Sequence, residues 1–107
     1  FGEMNANIGG MRLALEALGL ESVWAYEKER FAQITYTANF NLKPTANISN
    51  PKSLQSVDII TASLPPTFAD FQAFANILEQ QQNVAFIIET KKSLKIIYRR
   101  AFHLTHQ

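Results

Sequence analysis

The sequence predicts an α/β fold with a mostly parallel sheet flanked by helices. Along the chain, segments rich in strand formers alternate with amphipathic helical segments. The predicted strands are short continuous apolar runs, such as residues 57–62, which are typical of strands buried on both faces of a parallel sheet. The chain has 107 residues, of which 47% are hydrophobic and 18% are charged. We therefore expect residues 1–107 to form one domain with its own core.

The first predicted helix begins at the glycine pair 9–10 and ends before Gly19, which can adopt the positive φ of a helix C-cap. A short strand is predicted over residues 22–26 and a second helix over residues 29–40. The apolar face of the first helix comprises Met11, Ala14, Leu15 and Leu18. The corresponding face of the second helix comprises Phe31, Ile34, Thr35 and Ala38.

In the second half of the chain, the sequence pattern predicts two more strands and one or two helices. Residues 43–56 are rich in Asn, Ser and Pro and predict a loop, with a short strand near Ile48. The strand over residues 57–62 ends before Pro65, because a proline cannot donate to a strand ladder. A helix follows over residues 68–81 and a strand over 84–88. Residues 94–104 have helical spacing, and a strand is the competing interpretation. The apolar face of the helix over 68–81 comprises Phe71, Phe74, Ala75 and Leu78.

The apolar positions of these elements predict the core. Besides Trp24, the candidates are Leu13, Leu15, Leu18, Val23, Phe31, Ile59, Ile60, Phe86 and Ile87.

The composition excludes several classes of function. There are no cysteines, so a disulfide scaffold, a thiolate zinc site and a cysteine nucleophile are excluded. His103 and His106 have no evident third partner, so we expect no metal site. No run of about 18 apolar residues and no signal-like N-terminal segment occur, so we expect no membrane span and a cytoplasmic location. Because the chain begins with Phe1, it could be a trimmed fragment.

The basic residues are concentrated near the end of the chain, although the net charge is only +1. Residues 90–107 contain no acid and five of the ten Lys and Arg, namely Lys91, Lys92, Lys95, Arg99 and Arg100. This pattern has two interpretations. It is typical of the solvated face of a helix, and it also fits a surface that contacts the phosphates of nucleic acid, with Tyr98 available for stacking.

The turn at residues 5–10 and the acid at the end of the second strand indicate a ligand site. In open α/β sheets, ligands bind at the carboxyl ends of the strands. Gly9 and Gly10 allow the backbone to approach a ligand closely. Glu27 ends the second predicted strand, where a carboxylate can accept hydrogen bonds from both hydroxyls of a ribose. These residues predict a nucleoside site; the alternative is a tight strand-to-helix turn beside a surface glutamate.

Five segments resemble the motifs of the DNA cytosine-5 methyltransferase family, in the family's order and at nearly its spacing. Residues 3–10, E-M-N-A-N-I-G-G, resemble D-L-F-A-G-x-G-G, and the next six residues resemble F-R-L-A-L-E. Residues 26–33 resemble the second motif, and residues 46–49 resemble G-D-I-T. Residues 58–66, D-I-I-T-A-S-L-P-P, resemble D-I-L-x-A-G-F-P-C, and residues 85–91 resemble the strand that carries E-N-V. The resemblance implies a truncated Rossmann-like fold of S-adenosylmethionine-dependent methyltransferases.

The resemblance also implies a cofactor and a set of contacts. Members of the family bind S-adenosylmethionine, flip a cytosine out of duplex DNA, attack its C6 with a cysteine thiolate and methylate its C5. Glu27 would hold the ribose of the cofactor, and Glu89 would hold the target base. The turn that would meet the methionine part comprises Asn5, Ala6, Asn7, Ile8 and Gly9, and the adenine would lie against Asn47 and Ile48.

The sequence departs from the family at the positions of the chemistry. Pro66, after Pro65, stands where the family has its nucleophilic cysteine, and a proline has no nucleophile. Without that cysteine, we expect Glu89 to have no catalytic role, like Pro65 and Pro66, although all three stand at catalytic positions of the family motifs. The family's closing loop and later motifs have no counterpart in these 107 residues. In the cofactor motifs, Asn5 replaces a phenylalanine and Asn7 replaces a glycine.

These departures predict a catalytically inactive methyltransferase-like domain that acts as a binding or regulatory module. Binding of S-adenosylmethionine is expected to be weak or absent, since Asn47 also replaces an aspartate of the family motif. DNA and a methyltransferase subunit are the expected partners. The alternative is one subunit of a split methyltransferase that a second chain completes.

An incomplete sheet would leave an open edge, which predicts a homodimer. Residues 94–104 are the expected contact. Ile97, Tyr98 and Phe102 would lie inside it, with Arg99 and Arg100 at its rim.

Overall fold

The computed structural model describes residues 1–46, 48, 51–63, 68–81 and 84–89, and of residues 68–71 the backbone only. Four strands and three helices alternate along this part of the chain. In order they are β1 (Gly2–Met4), α1 (Gly10–Ala17), β2 (Trp24–Tyr26), α2 (Arg30–Phe40), β3 (Ile59–Ser63), α3 (Phe68–Gln80) and β4 (Ala85–Glu89), with a 3₁₀ turn at Pro51–Ser53 before β3.

All strand pairs of the sheet are parallel, in the order β2-β1-β3-β4, which confirms the predicted fold class. Met4 lies beside Tyr26 on one side and beside Ala62 on the other, so β1, β2 and β3 end at the same edge of the sheet. The strand expected near Ile48 is reduced to a single parallel bridge between Tyr26 and Thr45.

One face of the sheet is apolar and packs against α3. Ile60 and Phe74 are fully buried there, and Phe74 meets the ring of Phe86 edge-on at a centroid distance of 6.2 Å. The buried residues of this core are Met4, Ile60, Ala62, Phe74, Ala75, Ile77 and Leu78. The predicted face of α3 is therefore confirmed for Phe74, Ala75 and Leu78, while the side chain of Phe71 lies outside the described part.

The helices α1 and α2 lie on the opposite face of the sheet, where the central contact is polar. Side chains alternate along a strand, so Glu3 points away from the side of the sheet that holds Met4. The hydroxyl of Tyr36 in α2 donates a hydrogen bond to Glu3 Oε1 at 2.6 Å. Arg12 of α1 donates from Nη1 to the same hydroxyl at 3.0 Å. Both helices are thus connected to Glu3 of the central strand β1.

The prediction for the buried side of α2 is wrong. Phe31 is 80% exposed and Ile34 is 56% exposed, whereas Tyr36 is fully buried. Apolar periodicity cannot detect this arrangement, because α2 packs on the sheet through a tyrosine that needs a polar partner. In α1, Leu15 is buried as predicted.

Several predicted core residues are also exposed to solvent. Besides Phe31, these are Leu13, Leu18, Val23 and Ile87, whose exposed fractions range from 39% to 76%. Leu13 lies on the exposed side of α1 and Leu18 follows its last residue, while Ile87 points away from the core under α3. Ile60 is buried, and Trp24 and Phe86 are partly buried against the core under α3, as predicted.

Two helices end at residues in the left-handed conformation. Gly19 has φ 84° and donates its N–H to the carbonyl of Glu16, which confirms its role after α1. Asn41 has φ 54° and ends α2 with an N–H bond to the carbonyl of Thr37. None of the described helices is long and apolar enough to cross a membrane. The predicted element over residues 94–104 lies outside the described residues.

Candidate cofactor site

A cavity of about 550 Å³ opens where β1 and β3 end. Its wall consists of the end of β1, the turn that follows it, the start of α1 and the ends of β3 and β4. Asn5, Asn7, Ser63 and Glu89 are among the residues that line it. This is the position at which ligands bind in open α/β sheets.

The turn after β1 has an unusual backbone. Asn5, Asn7 and Gly9 have φ angles of 52°, 54° and 96°, so three alternate residues adopt the left-handed conformation. Asparagine tolerates this region better than other non-glycine residues do. Gly9 has an additional reason to be glycine, because a Cβ there would collide with the ring of Phe40.

Hydrogen bonds hold this turn in place on several sides. The N–H of Ala6 donates to the carbonyl of Tyr26 at 2.9 Å, and the N–H of Gly9 donates to the carbonyl of Ala6 at 3.0 Å. Asn39 of α2 donates from Nδ2 to the carbonyl of Ile8 at 3.0 Å. The turn is therefore fixed to β2 and to α2.

The side chain of Asn7 connects the turn to the end of β3. Its Nδ2 donates to Ser63 Oγ at 2.9 Å. The two residues are 56 positions apart in the sequence, and both line the cavity. This hydrogen bond was not predicted from the sequence.

Glu27 holds the backbone around the site. It is 3% exposed, and its Oε1 accepts the N–H of Asn7 at 2.8 Å. Its Oε2 accepts the N–H of Glu29 at 2.8 Å, next to the start of α2. Glu27 is not among the residues that line the cavity, so its ribose contact stays a prediction. The alternative of a surface glutamate is wrong, because this carboxylate is buried and has two backbone donors.

Glu3 is the most deeply buried charged group of the site. It is fully buried, and its Oε2 has no hydrogen-bond partner, whereas Oε1 accepts from Tyr36. Burial raises the pKa of Glu3, and the hydrogen bond from Tyr36 and the charge of Arg12 oppose this rise. Burial and the hydrogen bond to Glu3 also raise the pKa of Tyr36, which therefore stays a hydroxyl donor.

Arg12 completes this polar group from α1. Its Nε lies 3.2 Å from Glu16 Oε1 in an i,i+4 ion pair. Its guanidinium carbon lies 4.7 Å from the ring centroid of Phe40 and 5.7 Å from that of Tyr36, within the range of cation–π contacts. Sequence reasoning assigned no role to Arg12 or Tyr36. The available signal was an acid in the middle of a short apolar strand, which requires a buried partner.

Two acceptor oxygens of the cavity have no protein partner. One is Glu3 Oε2 and the other is Oδ1 of Asn5, a residue that is 6% exposed. Both residues line the cavity. Buried polar atoms are usually hydrogen-bonded, so these two oxygens are exceptions within the described part of the chain.

The remaining predicted site residues are only partly brought together. Ala6 and Ile8 line the cavity with the asparagines of the turn, and Glu89 lies at its edge, exposed, beside Ser63 in the sheet register. Ile48 packs against the core under α3. Asn47, Pro65, Pro66, Lys91, Lys92, Lys95, Arg99 and Arg100 lie outside the described residues. Within the described part, no group of three or more His, Cys, Asp or Glu could hold a metal.

A parallel sheet with a glycine-containing turn and a crevice at the strand ends defines the class of ligand-binding α/β domains. A comparison with known proteins identifies the family. Residues 1–67 match the family model of C-5 cytosine-specific DNA methylases, which covers more than half of the chain. The chain therefore belongs to this family, as its motifs predict.

The relatives are bacterial type II methyltransferases. The chain is 40% identical over 67 residues to type II methyltransferase M.HhaI of Haemophilus parahaemolyticus, which corresponds to 61% of this chain and 20% of that protein. It is 33% identical over 109 residues to type II methyltransferase M.HaeII of Haemophilus aegyptius, which corresponds to 86% of this chain and 34% of that protein. The chain thus spans about a fifth to a third of the length of these relatives.

A solved structure shows that the fold is shared. The crystal structure of S. pombe Dnmt2 methyltransferase matches 95% of this chain with a TM-score of 0.64 and 21% sequence identity, and the match covers 38% of that protein. The expected Rossmann-like fold of S-adenosylmethionine-dependent methyltransferases is confirmed by this match and by the parallel sheet.

Proposed function

We propose that this chain is the cofactor-side part of a cytosine-5 methyltransferase that transfers no methyl group by itself and acts as a binding or regulatory module. One observation supports this most directly. The cavity, its turn and Glu27 are present, while Pro66 stands where the family motif has its cysteine. A proline cannot add to C6 of cytosine, so the covalent step of the family has no nucleophile in this chain.

A methyl-transfer assay on duplex DNA tests this proposal. With labelled S-adenosylmethionine and DNA that contains many sequence contexts, the purified chain is expected to label no cytosine, while an intact relative assayed in parallel does. The Pro66→Cys variant is also expected to be inactive, because the closing loop and the later motifs are not in this chain. Methyl transfer to C5 by the unmodified chain would refute the proposal.

The split-enzyme alternative predicts a different result. If a second chain supplies the later motifs and a cysteine, a mixture of the two chains would methylate DNA although neither does so alone. No activity in such a mixture would leave the binding module as the remaining role.

The cofactor would be S-adenosylmethionine, which supplies the methyl group in this family. By the family motifs, the residues that would hold it are those of the turn from Asn5 to Gly9, with Glu27, Asn47 and Ile48. Of these, Asn5, Ala6, Asn7 and Ile8 line the cavity, whereas Ile48 packs against the core under α3. Three replacements support weak binding. Asn5 is polar where the motif has an aromatic ring, and Asn7 adds a side chain where the motif has glycine. Asn47 is neutral where the motif has a charged aspartate. We expect each to reduce the binding free energy by about 1–2 kcal/mol.

Calorimetric titration of the chain with S-adenosylmethionine measures this directly. We expect a dissociation constant several orders of magnitude above that of an intact relative titrated under the same conditions. Cofactor that remains bound through purification and is released only on denaturation would show that these replacements matter less than proposed.

DNA is the proposed macromolecular partner, since the family acts on DNA and the end of the chain is basic. Fluorescence anisotropy with a labelled duplex is expected to show binding that weakens as salt increases. The paired change Lys91→Glu and Lys92→Glu is expected to reduce this binding, and Lys43→Glu serves as the control for loss of a charge elsewhere. Equal losses in both proteins would show that the basic end is not the contact.

Self-association is a further part of the proposal. In the described part of the sheet, β4 is the last strand on its side, and Ile87 on it is 41% exposed. Light scattering is expected to give twice the chain mass of 12.1 kDa. The variant Ile97→Asp is expected to reduce this to the mass of one chain. A monomer at micromolar concentration would refute the dimer.

A further inference from the structure

The hydrogen bond between Asn7 and Ser63 joins two parts of the cavity wall. Asn7 belongs to the turn after β1, and Ser63 is the last residue of β3. The donor Nδ2 and the acceptor Oγ are 2.9 Å apart. We refer to this contact as the Asn7–Ser63 bridge.

Both partners of the bridge stand where the corresponding motif has glycine. Asn7 takes the place of the first glycine in D-L-F-A-G-x-G-G, and Ser63 takes the place of the glycine in D-I-L-x-A-G-F-P-C. Two replacements 56 residues apart in sequence therefore meet in one hydrogen bond. With glycine at both positions, neither the bond nor these side-chain atoms would occupy the wall of the cavity.

The backbone on each side of the bridge is fixed. Asn7 has φ 54°, and its N–H donates to the buried carboxylate of Glu27 at 2.8 Å. Ser63 is held in the sheet, in register with Glu89 of β4. The two side chains thus extend from anchored positions and cannot move apart without breaking their own hydrogen bond.

We propose that the Asn7–Ser63 bridge determines which ligands this cavity accepts. A ligand that fills the crevice up to the turn must break the bridge or bind around it, whereas a smaller ligand need not. The two unpartnered acceptors, Glu3 Oε2 and Asn5 Oδ1, are themselves buried, so the selection rests on the bridge and not on them. The bridge therefore selects against S-adenosylmethionine and spares a compact ligand such as a free nucleoside. This inference rests on the proposed function, because it assumes that the cavity is the cofactor crevice.

Binding measurements on glycine variants test the bridge. The variants are Asn7→Gly, Ser63→Gly and the double variant, each titrated by calorimetry with S-adenosylmethionine and with adenosine. We expect the double variant to bind S-adenosylmethionine at least about tenfold more tightly than the unmodified chain. We expect adenosine binding to change by less than about twofold. Each single variant loses the hydrogen bond but keeps one side chain, so the effects of the two changes are not expected to add.

Asn41→Gly is the matched control. Asn41 also has φ 54°, but it ends α2 and does not line the cavity. It therefore reports what an asparagine-to-glycine change does to a left-handed position without affecting the bridge. A gain in affinity of the same size in Asn41→Gly would overturn the inference, and so would equal affinities of the double variant and the unmodified chain for S-adenosylmethionine.

A second measurement keeps the test valid if Asn7→Gly fails to fold. Ser63→Ala removes the acceptor from a strand position where alanine fits. In nuclear magnetic resonance spectra, the chemical shifts of the side-chain amide protons of Asn7 are expected to change in Ser63→Ala, because one of these protons loses its acceptor. Unchanged chemical shifts would refute the bridge itself. Methyl transfer by the unmodified chain would refute the proposed function instead, so the two failures are distinguishable.

Discussion

The two faces of the sheet are built from different chemistry. Under α3, the contacts are between apolar side chains such as Met4, Ile60 and Phe74, which are buried to 2% exposure or less. Under α1 and α2, the central contact is a chain of hydrogen bonds from Arg12 through Tyr36 to Glu3. The first face needs only volume and apolar area, whereas the second also needs each polar group to meet its partner.

The two faces differ in how they contribute to stability, and residues of both line the cavity: Met4 and Ala62 from the apolar face, Glu3 from the polar face. The apolar face contains the larger group of buried residues, and close packing there favours the folded state through burial of area. On the polar face, Glu3 Oε2 and Asn5 Oδ1 are buried without a partner, which opposes folding. Buried polar atoms without a partner are uncommon in folded proteins, so the polar face is the less stabilising of the two.

The largest expected effect comes from the apolar face. Phe74→Ala removes a fully buried ring that packs against Phe86, and we expect it to lower the free energy of unfolding by about 3–5 kcal/mol. Urea unfolding measures this loss. The exposed Phe31→Ala is the matched control and is expected to change the free energy of unfolding by less than about 0.5 kcal/mol. Similar losses in both variants would contradict the assignment of the core to the face under α3.

A smaller effect is expected from the polar face. Tyr36→Phe keeps the ring but removes the hydroxyl that joins Arg12 to Glu3, leaving Glu3 with no side-chain donor. We expect a loss of about 1–3 kcal/mol in the free energy of unfolding. If this variant is as stable as the unmodified chain, the hydrogen-bond chain does not contribute to holding α2 on the sheet.

Glu3 gives the polar face a dependence on pH. Burial raises its pKa above the ordinary value of 4.5, so the folded chain keeps this proton to a higher pH than the unfolded chain does. Over this range of pH the folded state binds more protons than the unfolded state does. The contribution of Glu3 to the free energy of unfolding therefore falls as the pH rises through 4.5 and is lost above the raised pKa. Glu3→Gln cannot ionise, so this variant should gain stability relative to the unmodified chain as the pH rises above 4.5.

Unfolding of both proteins in urea at several pH values provides the measurement. Asp58→Asn is a suitable control for the loss of an acid elsewhere in the chain. A difference between Glu3→Gln and the unmodified chain that is the same at every pH would contradict the raised pKa.

The smallest expected effect concerns backbone conformation. Asn41 ends α2 with φ 54°, and glycine adopts this conformation without the clash of a Cβ. We expect Asn41→Gly to raise the free energy of unfolding by less than about 1 kcal/mol, partly offset by the greater freedom of glycine in the unfolded chain. Thermal unfolding measures the change, and a marked loss of stability would show that the Asn41 side chain has a role beyond ending the helix.

Local signals predicted most of the secondary structure. The helix predicted over residues 29–40 is α2, Arg30–Phe40, and the one predicted over 68–81 is α3, Phe68–Gln80. Gly19 adopts the positive φ that its position after α1 suggests. These features depend on neighbours within a few residues, and such neighbours are visible in the sequence.

Burial was predicted well on one face of the sheet and poorly on the other. Periodicity found Phe74 and Leu78 because their burial follows from apolar area alone. It failed for Phe31 and Tyr36, since α2 is oriented by a hydrogen bond to Glu3, 33 residues away in the sequence. A hydrophobic pattern contains no information about such a pair.

The sequence by itself determined the family, the parallel α/β fold and the order of the elements along the chain, and it predicted a ligand site at the turn where the structure has a cavity. These follow from short motifs and from local preferences. The tertiary structure alone decided that Asn7 meets Ser63, that Tyr36 meets Glu3, and that Glu27 bonds the backbone of the turn. Each of these contacts joins residues on different elements, 20 to 56 positions apart, and they form only when the strands lie side by side.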